Sequence, residues 1–190
     1  MKLNSHRAAA GFTMFELVMV MSIVGIIAAI GLPSFRYVTA SNRISSEING
    51  MLSDLRFARS EAVKQGLPVT VCISTDGTSC STGGTDWSVG WIVFSDPGST
   101  RALAAGQVSI KYQIALTKDF GGNDTFIAAN GMTYITFNRE GFGSSNAVPA
   151  TSTETISLKS TPANQNWTRC LFVTPIGALS ISKAPNLSCQ

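Results

Sequence analysis

The chain has 190 residues, with fourteen Lys/Arg against eleven Asp/Glu, a net charge of +3, and 44% hydrophobic residues. Two of the cations and none of the acids fall in the first eleven residues, so the remainder is nearly neutral, twelve against eleven. That balance leaves no basic footprint for nucleic acid, and the about 120 residues beyond a long N-terminal helix suffice for one small core and not two domains.

Residues 1–11 form a short polar leader carrying Lys2, His6 and Arg7. A single carboxylate, Glu16, then interrupts an apolar run. Every residue over 17–32 is apolar or small except Ser22. Residues 12–35 span 24 positions, long enough at about 1.5 Å per residue to cross a hydrocarbon core of about 30 Å. Lys2 and Arg7 favour a cytoplasmic N-terminus, and Arg36 and Arg43 beyond the run make that bias modest. A cleaved secretory signal needs an uninterrupted apolar stretch and a small-x-small site. Ala28-Ala29-Ile30-Gly31 imitates the site, but Glu16 breaks the stretch and the helical pattern continues past Gly31. An ionised carboxylate inside hydrocarbon is costly and tends to have a partner and a role.

The helical pattern extends well beyond the span. Ile44, Ile48, Met51, Leu55, Ala58 and Ala62 recur at steps of three and four, one apolar stripe, with Arg43, Glu47, Asp54, Glu61 and Lys64 as the polar remainder. Gly66 followed by Pro68 stops the helix. A helix over 12–65 is expected, with a kink at Pro33, preceded by Gly31. Beyond Gly66 the pattern changes to short β-rich runs. Strands are expected at 68–73, 90–95, 107–116, 132–138, 153–159, 168–173 and 177–182. Loops are expected at 75–84, 96–98, 121–124, 141–146 and 161–164. This is an α+β chain: a long N-terminal helix, its first half membrane-spanning, packed against a C-terminal antiparallel β head of two small sheets or one folded sheet. The expected divisions are a leader at 1–11, a membrane helix at 12–35, an amphipathic half-helix at 36–66 and a β-rich head at 67–190.

Four cysteines, Cys72, Cys80, Cys170 and Cys189, all lie beyond the span, on the side where disulfides persist. Three pairings are open. Cys72–Cys80 and Cys170–Cys189 are favoured because each pair is close in sequence and flanks a loop. No CxxC occurs and the one histidine, His6, sits in the leader, so no metal site is expected. No cofactor is expected either. GxSxG, a phosphate loop and HExxH are all absent, and Asp119-Phe120-Gly121 stands without the other kinase motifs. The loop acids Asp76, Asp86 and Asp96 are scattered and read as solvated. The chain does not read as an enzyme.

Gly11-Phe12-Thr13-Met14-Phe15-Glu16-Leu17, followed by the apolar helix with Pro33, resembles the class III signal of type IV pilins and type II secretion pseudopilins. Met14 stands where that family usually has Leu. The resemblance implies cleavage after Gly11 by a prepilin peptidase, N-methylation of Phe12, and passage of the helix from the membrane into a filament core. It also implies that Glu16 pairs with the N-terminal amine of a neighbouring subunit. An intrachain partner at i,i+4 is the alternative. Gly11 lets a protease approach the backbone closely.

Asp54-Leu55-Arg56-Phe57-Ala58-Arg59-Ser60-Glu61-Ala62, then Pro68-Val69-Thr70-Val71-Cys72, resembles the GspH/FimT/FimU group of minor pilins and pseudopilins. Trp87-Ser88-Val89-Gly90-Trp91-Ile92-Val93-Phe94-Ser95-Asp96 and Phe137-Asn138-Arg139-Glu140-Gly141 extend the likeness. Trp87 and Trp91 themselves read as packing residues. The resemblance implies a structural minor pilin of the pilus tip or initiation complex, priming assembly with other minor pilins and the major pilin. Twitching, adhesion and DNA uptake would depend on it. Two other roles occur in the group: a DNA receptor and a GspH-type pseudopilin. The DNA-binding members carry GRxR, where this chain reads Pro175-Ile176-Gly177-Ala178-Leu179-Ser180, so direct DNA binding is not favoured. The implied location is a single-pass inner-membrane protein with a periplasmic head, then a pilus or pseudopilus.

Overall fold

The structure is a computed structural model describing residues 11–81, 83–98, 100–103, 110–114, 124–146, 153–160, 164, 166–184 and 189. The leader 1–10, the ends of the strand expected at 107–116, and most of the loops expected at 121–124 and 161–164 lie outside the described residues. The chain divides into two units, Met1–Thr39 and Ala40–Gln190.

Helix α1, Met14–Gln65, begins in the first unit. Thr13 caps it: its Oγ1 accepts from the Glu16 amide at 3.2 Å, satisfying one of the free N–H groups of the first turn. Side chains over 11–38 are exposed throughout, and Pro33 lies inside the assigned helix without ending it. Ser22 and Thr39 return their hydroxyls to the carbonyls of Val18 and Phe35 at 2.8 and 2.9 Å.

In the second unit the stripe does what its spacing implies. Ile44, Ile48, Met51, Leu55, Ala58 and Ala62 are each 2% exposed or less. The helix ends where glycine allows it. Gly66 adopts φ +67° and returns its amide to the Ala62 carbonyl at 3.0 Å.

Among the described residues nine strands follow: β1 Val69–Ile73, β2 Gly90–Ser95, β3 Lys111–Ile114, β4 Thr125–Ala128, β5 Tyr134–Phe137, β6 Gly143–Ser145, β7 Glu154–Lys159, β8 Arg169–Val173 and β9 Leu179–Lys183. They form two antiparallel sheets, ordered β3-β2-β1-β5-β6 and β4-β7-β8-β9. Val69, Val71 and Ile73 of β1 share one core with the α1 stripe, Val93, Ile135, Phe137, and Phe126, Ile156, Leu158 and Leu171 of the second sheet. The Trp91 and Phe126 rings meet edge to face across the sheets, centroids 6.0 Å apart. Trp87 and Trp91 are both buried, as packing residues.

Two strands escape the sequence pattern. β4 is four residues long and begins just past the glycine-rich sequence Gly121-Gly122-Asn123-Asp124. β6 lies in the stretch expected to be loop: Gly143-Ser144-Ser145 has no apolar alternation, and backbone pairing with β5 alone makes it a strand.

Candidate assembly site

The N-terminal segment is open on every side. Phe12 is 85% exposed, and Met14, Phe15, Leu17, Val18, Ile26, Ile27 and Phe35 are all more than half exposed. An apolar surface this long is not left to water; it marks a membrane or a protein partner. Among the described residues, nothing lies within 4 Å of where a Cβ on Gly11 would stand. Glu16 sits in the first turn of α1, where the helix dipole favours a carboxylate. Among the described residues no donor reaches that carboxylate, so an intrachain side-chain partner is not seen there.

Inside the head, the polar residues of the motif segments are structural ties. Asp54 belongs by spacing to the polar remainder of the helix, yet it is 3% exposed. Its carboxylate accepts the Trp91 indole N–H at 2.9 Å and pairs with the Lys111 ammonium. It thus fastens α1 to β2 and to the edge strand β3. Its place beside Met51 and Leu55 on the stripe is the signal that sequence reading passed over. Asp96, expected to be solvated, is 2% exposed. It accepts from the amides of Thr100 and Arg101, both at 2.8 Å, and from the Thr70 hydroxyl at 3.1 Å. Buried carboxylates need such donors. Asp76 and Asp86 are exposed and cap local turns. Amide and hydroxyl donors from Ser79 and Thr78 hold the Asp76 carboxyl well below the ordinary range.

Arg59 reaches two loops at once, donating to the Gly141 carbonyl at 3.1 Å and the Ile176 carbonyl at 3.2 Å. Gly177, at φ +73°, passes so close that a Cβ there would lie 1.9 Å from the Gly141 carbonyl oxygen. The β8–β9 turn, Thr174 to Ala178, is thereby tied to α1 and carries no arginine. Near the start of the head, Arg43 forks onto Asp124 at 2.6 and 2.9 Å, with Glu47 Oε1 3.9 Å away. Glu47 Oε2 is buried with no hydrogen-bond partner among the described residues. Burial first, then the Asp124 charge, push the Glu47 carboxyl up to about 7, against the pull of Arg43.

Two disulfides complete the head. Cys72 is joined to Cys80, and Cys170 to Cys189, with Cα atoms 5.6 and 5.5 Å apart. The second ties the residue next to the C-terminus to β8. No group of metal-ligating side chains occurs among the described residues.

A long N-terminal helix packed on antiparallel sheets and opening in an uncovered apolar segment with one acid defines a pilin-like subunit. Two sequence comparisons agree. Residues 6–32 match the prokaryotic N-terminal methylation motif, and residues 47–177 match the family described as type II transport protein GspH. The chain belongs to this GspH family of minor pilins and pseudopilins. Its fold is similar to that of the Pseudomonas aeruginosa PAO1 type IV minor pilin FimU in two crystal forms. The first gives a TM-score of 0.56 at 18% identity, covering 77% of this chain and 96% of that one. The second gives 0.51 at 19% identity, covering 76% and 98%. The family implies processing by prepilin peptidase through the methylation motif, membrane anchoring, and assembly with other pilins.

Proposed function

We propose that this chain is a minor type IV pilin, a structural subunit of the tip or initiation complex that primes pilus assembly. The observation that carries the reading is the open segment 11–38, exposed throughout, in which Glu16 is the one charged residue before Arg36. In this reading prepilin peptidase cuts after Gly11, Phe12 becomes the methylated N-terminus, and the segment leaves the inner membrane for the filament core, loosened at Pro33. The Phe12 ammonium of a neighbour then meets Glu16 in a low-dielectric setting, which relieves a desolvation cost of several kcal/mol per ion. The head contacts the other minor pilins and the major pilin, and twitching, adhesion and DNA uptake follow indirectly.

A pseudopilin of type II secretion is the second reading, favoured by the description of the matched family. Direct DNA binding is the weaker third, since the turn at Pro175-Ile176-Gly177-Ala178 carries no arginine. Deleting the gene alone and quantifying sheared pili, twitching, transformation and exoprotein secretion separates the three. Loss of pili, twitching and transformation together, restored by the gene, supports the priming subunit. Intact pili with failed secretion moves the chain to the pseudopilus. Intact pili with failed transformation moves it to DNA capture.

A further inference from the structure

The outer face of the first sheet carries a cavity that the assembly features leave unused. Cys72 of β1 stands opposite Ile92 of β2 and Tyr134 of β5, so the three side chains share one face. Val69, Val71 and Ile73 alternate with it and take the other face, against the α1 stripe. Two straps lie over the outer face. One is the loop at 74–81, closed by the Cys72–Cys80 bond; the other leads from Asp96 to Leu103, which packs with Tyr134 against the cluster of Cys72, Ile92 and Phe94. Between them is a cavity of about 230 Å³ whose lining includes Arg101, Leu103, Thr133, Tyr134 and the disulfide.

Arg101 is presented there by a built support. The buried Asp96 carboxylate fixes its amide, and the residue takes a left-handed φ of +59°, unusual for a non-glycine residue. Its guanidinium lies over the Tyr134 ring, 4.7 Å from the centroid. Among the described residues no carboxylate lines the cavity and no acid pairs with the Arg101 side chain. Asp96 and Asp76, the nearest acids in the straps, are already occupied by donors of their own turns. The volume lies below the roughly 300–1,000 Å³ of small-molecule sites, so it suits a side chain rather than a cofactor. An exposed planar guanidinium beside apolar walls selects a carboxylate carried next to an apolar group.

We propose that this cavity binds an acidic–apolar peptide segment of a partner protein, seating an Asp or Glu on Arg101 and a neighbouring apolar side chain between the straps. The site is independent of the anchor helix and of the choice of secretion machine. The test uses the full chain in detergent micelles and four blocked pentapeptides with a central Asp or Glu flanked by Leu or Phe. Matched Asn and Gln peptides, and a single-stranded oligonucleotide as competitor, complete the set. Binding is read from the tryptophan and methyl resonances of the protein. At least one acidic peptide is expected to bind ten times or more tighter than its amide twin. Arg101→Gln should abolish that preference with an unchanged circular dichroism spectrum, while Arg139→Gln, at an exposed arginine paired with Glu140 elsewhere, should keep it. Equal binding of acid and amide peptides, no binding by any of the four, or a preference surviving in Arg101→Gln overturns the proposal. Displacement of the peptide by the oligonucleotide overturns it in favour of a phosphate site.

Discussion

At the residue scale, two acids on α1, Asp54 buried and Glu47 partly buried, make opposite predictions. Asp54 has its partners: the Trp91 indole and the Lys111 ammonium. Asp54→Ala leaves an indole N–H and a cation without their acceptor, which costs about 2–4 kcal/mol. Asp54→Asn keeps an acceptor for the indole and should cost less; urea titrations of the two variants check the order. Glu47 has a buried oxygen with no partner among the described residues and a carboxyl raised to about 7. Its folded state holds the proton longer than the unfolded chain does. That contribution is therefore fully present below pH 4.5 and is lost as pH rises to about 7. Glu61 and Glu140 are shifted downward by hydrogen bonds, and Asp76 likewise, so their linked losses come with acidification below the ordinary carboxylate range. Between pH 4.5 and 7 the Glu47 effect should stand alone among the shifted acids of the described residues, with Arg43 and Asp124 facing it. Glu47→Gln should flatten the stability profile over that window. It should be more stable than wild type at pH 8 by about 1–2 kcal/mol, after allowance for solvent screening. Urea midpoints at four pH values read both effects.

At the element scale, the sequence was most legible where one period ran long. Six stripe positions at helical spacing and the Gly66 stop placed the second half of α1, and the structure buries all six. The longer β runs, such as Gly90–Ser95, were legible because their apolar residues face packing partners on both sides of the sheet. Strands β4 and β6 were not. Each is set by what it pairs with, β7 and β5, and partners distant in sequence leave no local signal. The same reason hid the ties. Asp54 finds Lys111 across 57 positions, and Arg59 finds Gly141 and Ile176 across 82 and 117. The Arg59 clasp predicts a paired outcome. Gly177→Ala puts a methyl into the Gly141 carbonyl and a side chain at φ +73°, so it should cost more than about 2 kcal/mol. Arg59→Leu keeps the stem's packing but frees two carbonyls, at about 1–3 kcal/mol. Hydrogen exchange should then speed up in the 138–143 and 174–178 turns and not in β1. Removing Cys170–Cys189 should cost about 3.3 kcal/mol in the chain-entropy model, more than the about 2.5 for Cys72–Cys80, because it closes the longer loop. Melting the two double-serine variants orders them.

At the scale of the whole molecule, the two units meet different solvents, and their chemistry divides accordingly. The head of Ala40–Gln190 closes its own core and is tied by two disulfides and part-buried ion pairs. The segment 11–38 closes nothing and keeps its apolar side chains open. An apolar helix segment left open in this way gains stability only when something covers it, which in the proposed assembly is first lipid and then neighbouring subunits. Under that proposal, Glu16 is the residue that distinguishes the two coverings. In lipid it is a cost, reduced by its place at the helix N-terminus. In a filament it becomes a gain if the amine freed by cutting after Gly11 lies beside it. Glu16→Ala should therefore be exported, processed and folded as wild type, since removing the acid helps the membrane state. It should fail at incorporation, because the neighbour's ammonium is left buried without its partner. A loss of about 3–5 kcal/mol for such a broken pair corresponds to more than a hundredfold less subunit in sheared filaments. Glu16→Gln, which can accept a hydrogen bond but carries no charge, should recover only a small part. Quantitative mass spectrometry of the sheared fraction, normalised to processed protein in the membrane, gives the number. Processing is read separately from the mass of the N-terminal peptide beginning at Phe12. Wild-type incorporation of Glu16→Ala would remove the amine pairing from the mechanism and leave the apolar surface alone to drive assembly.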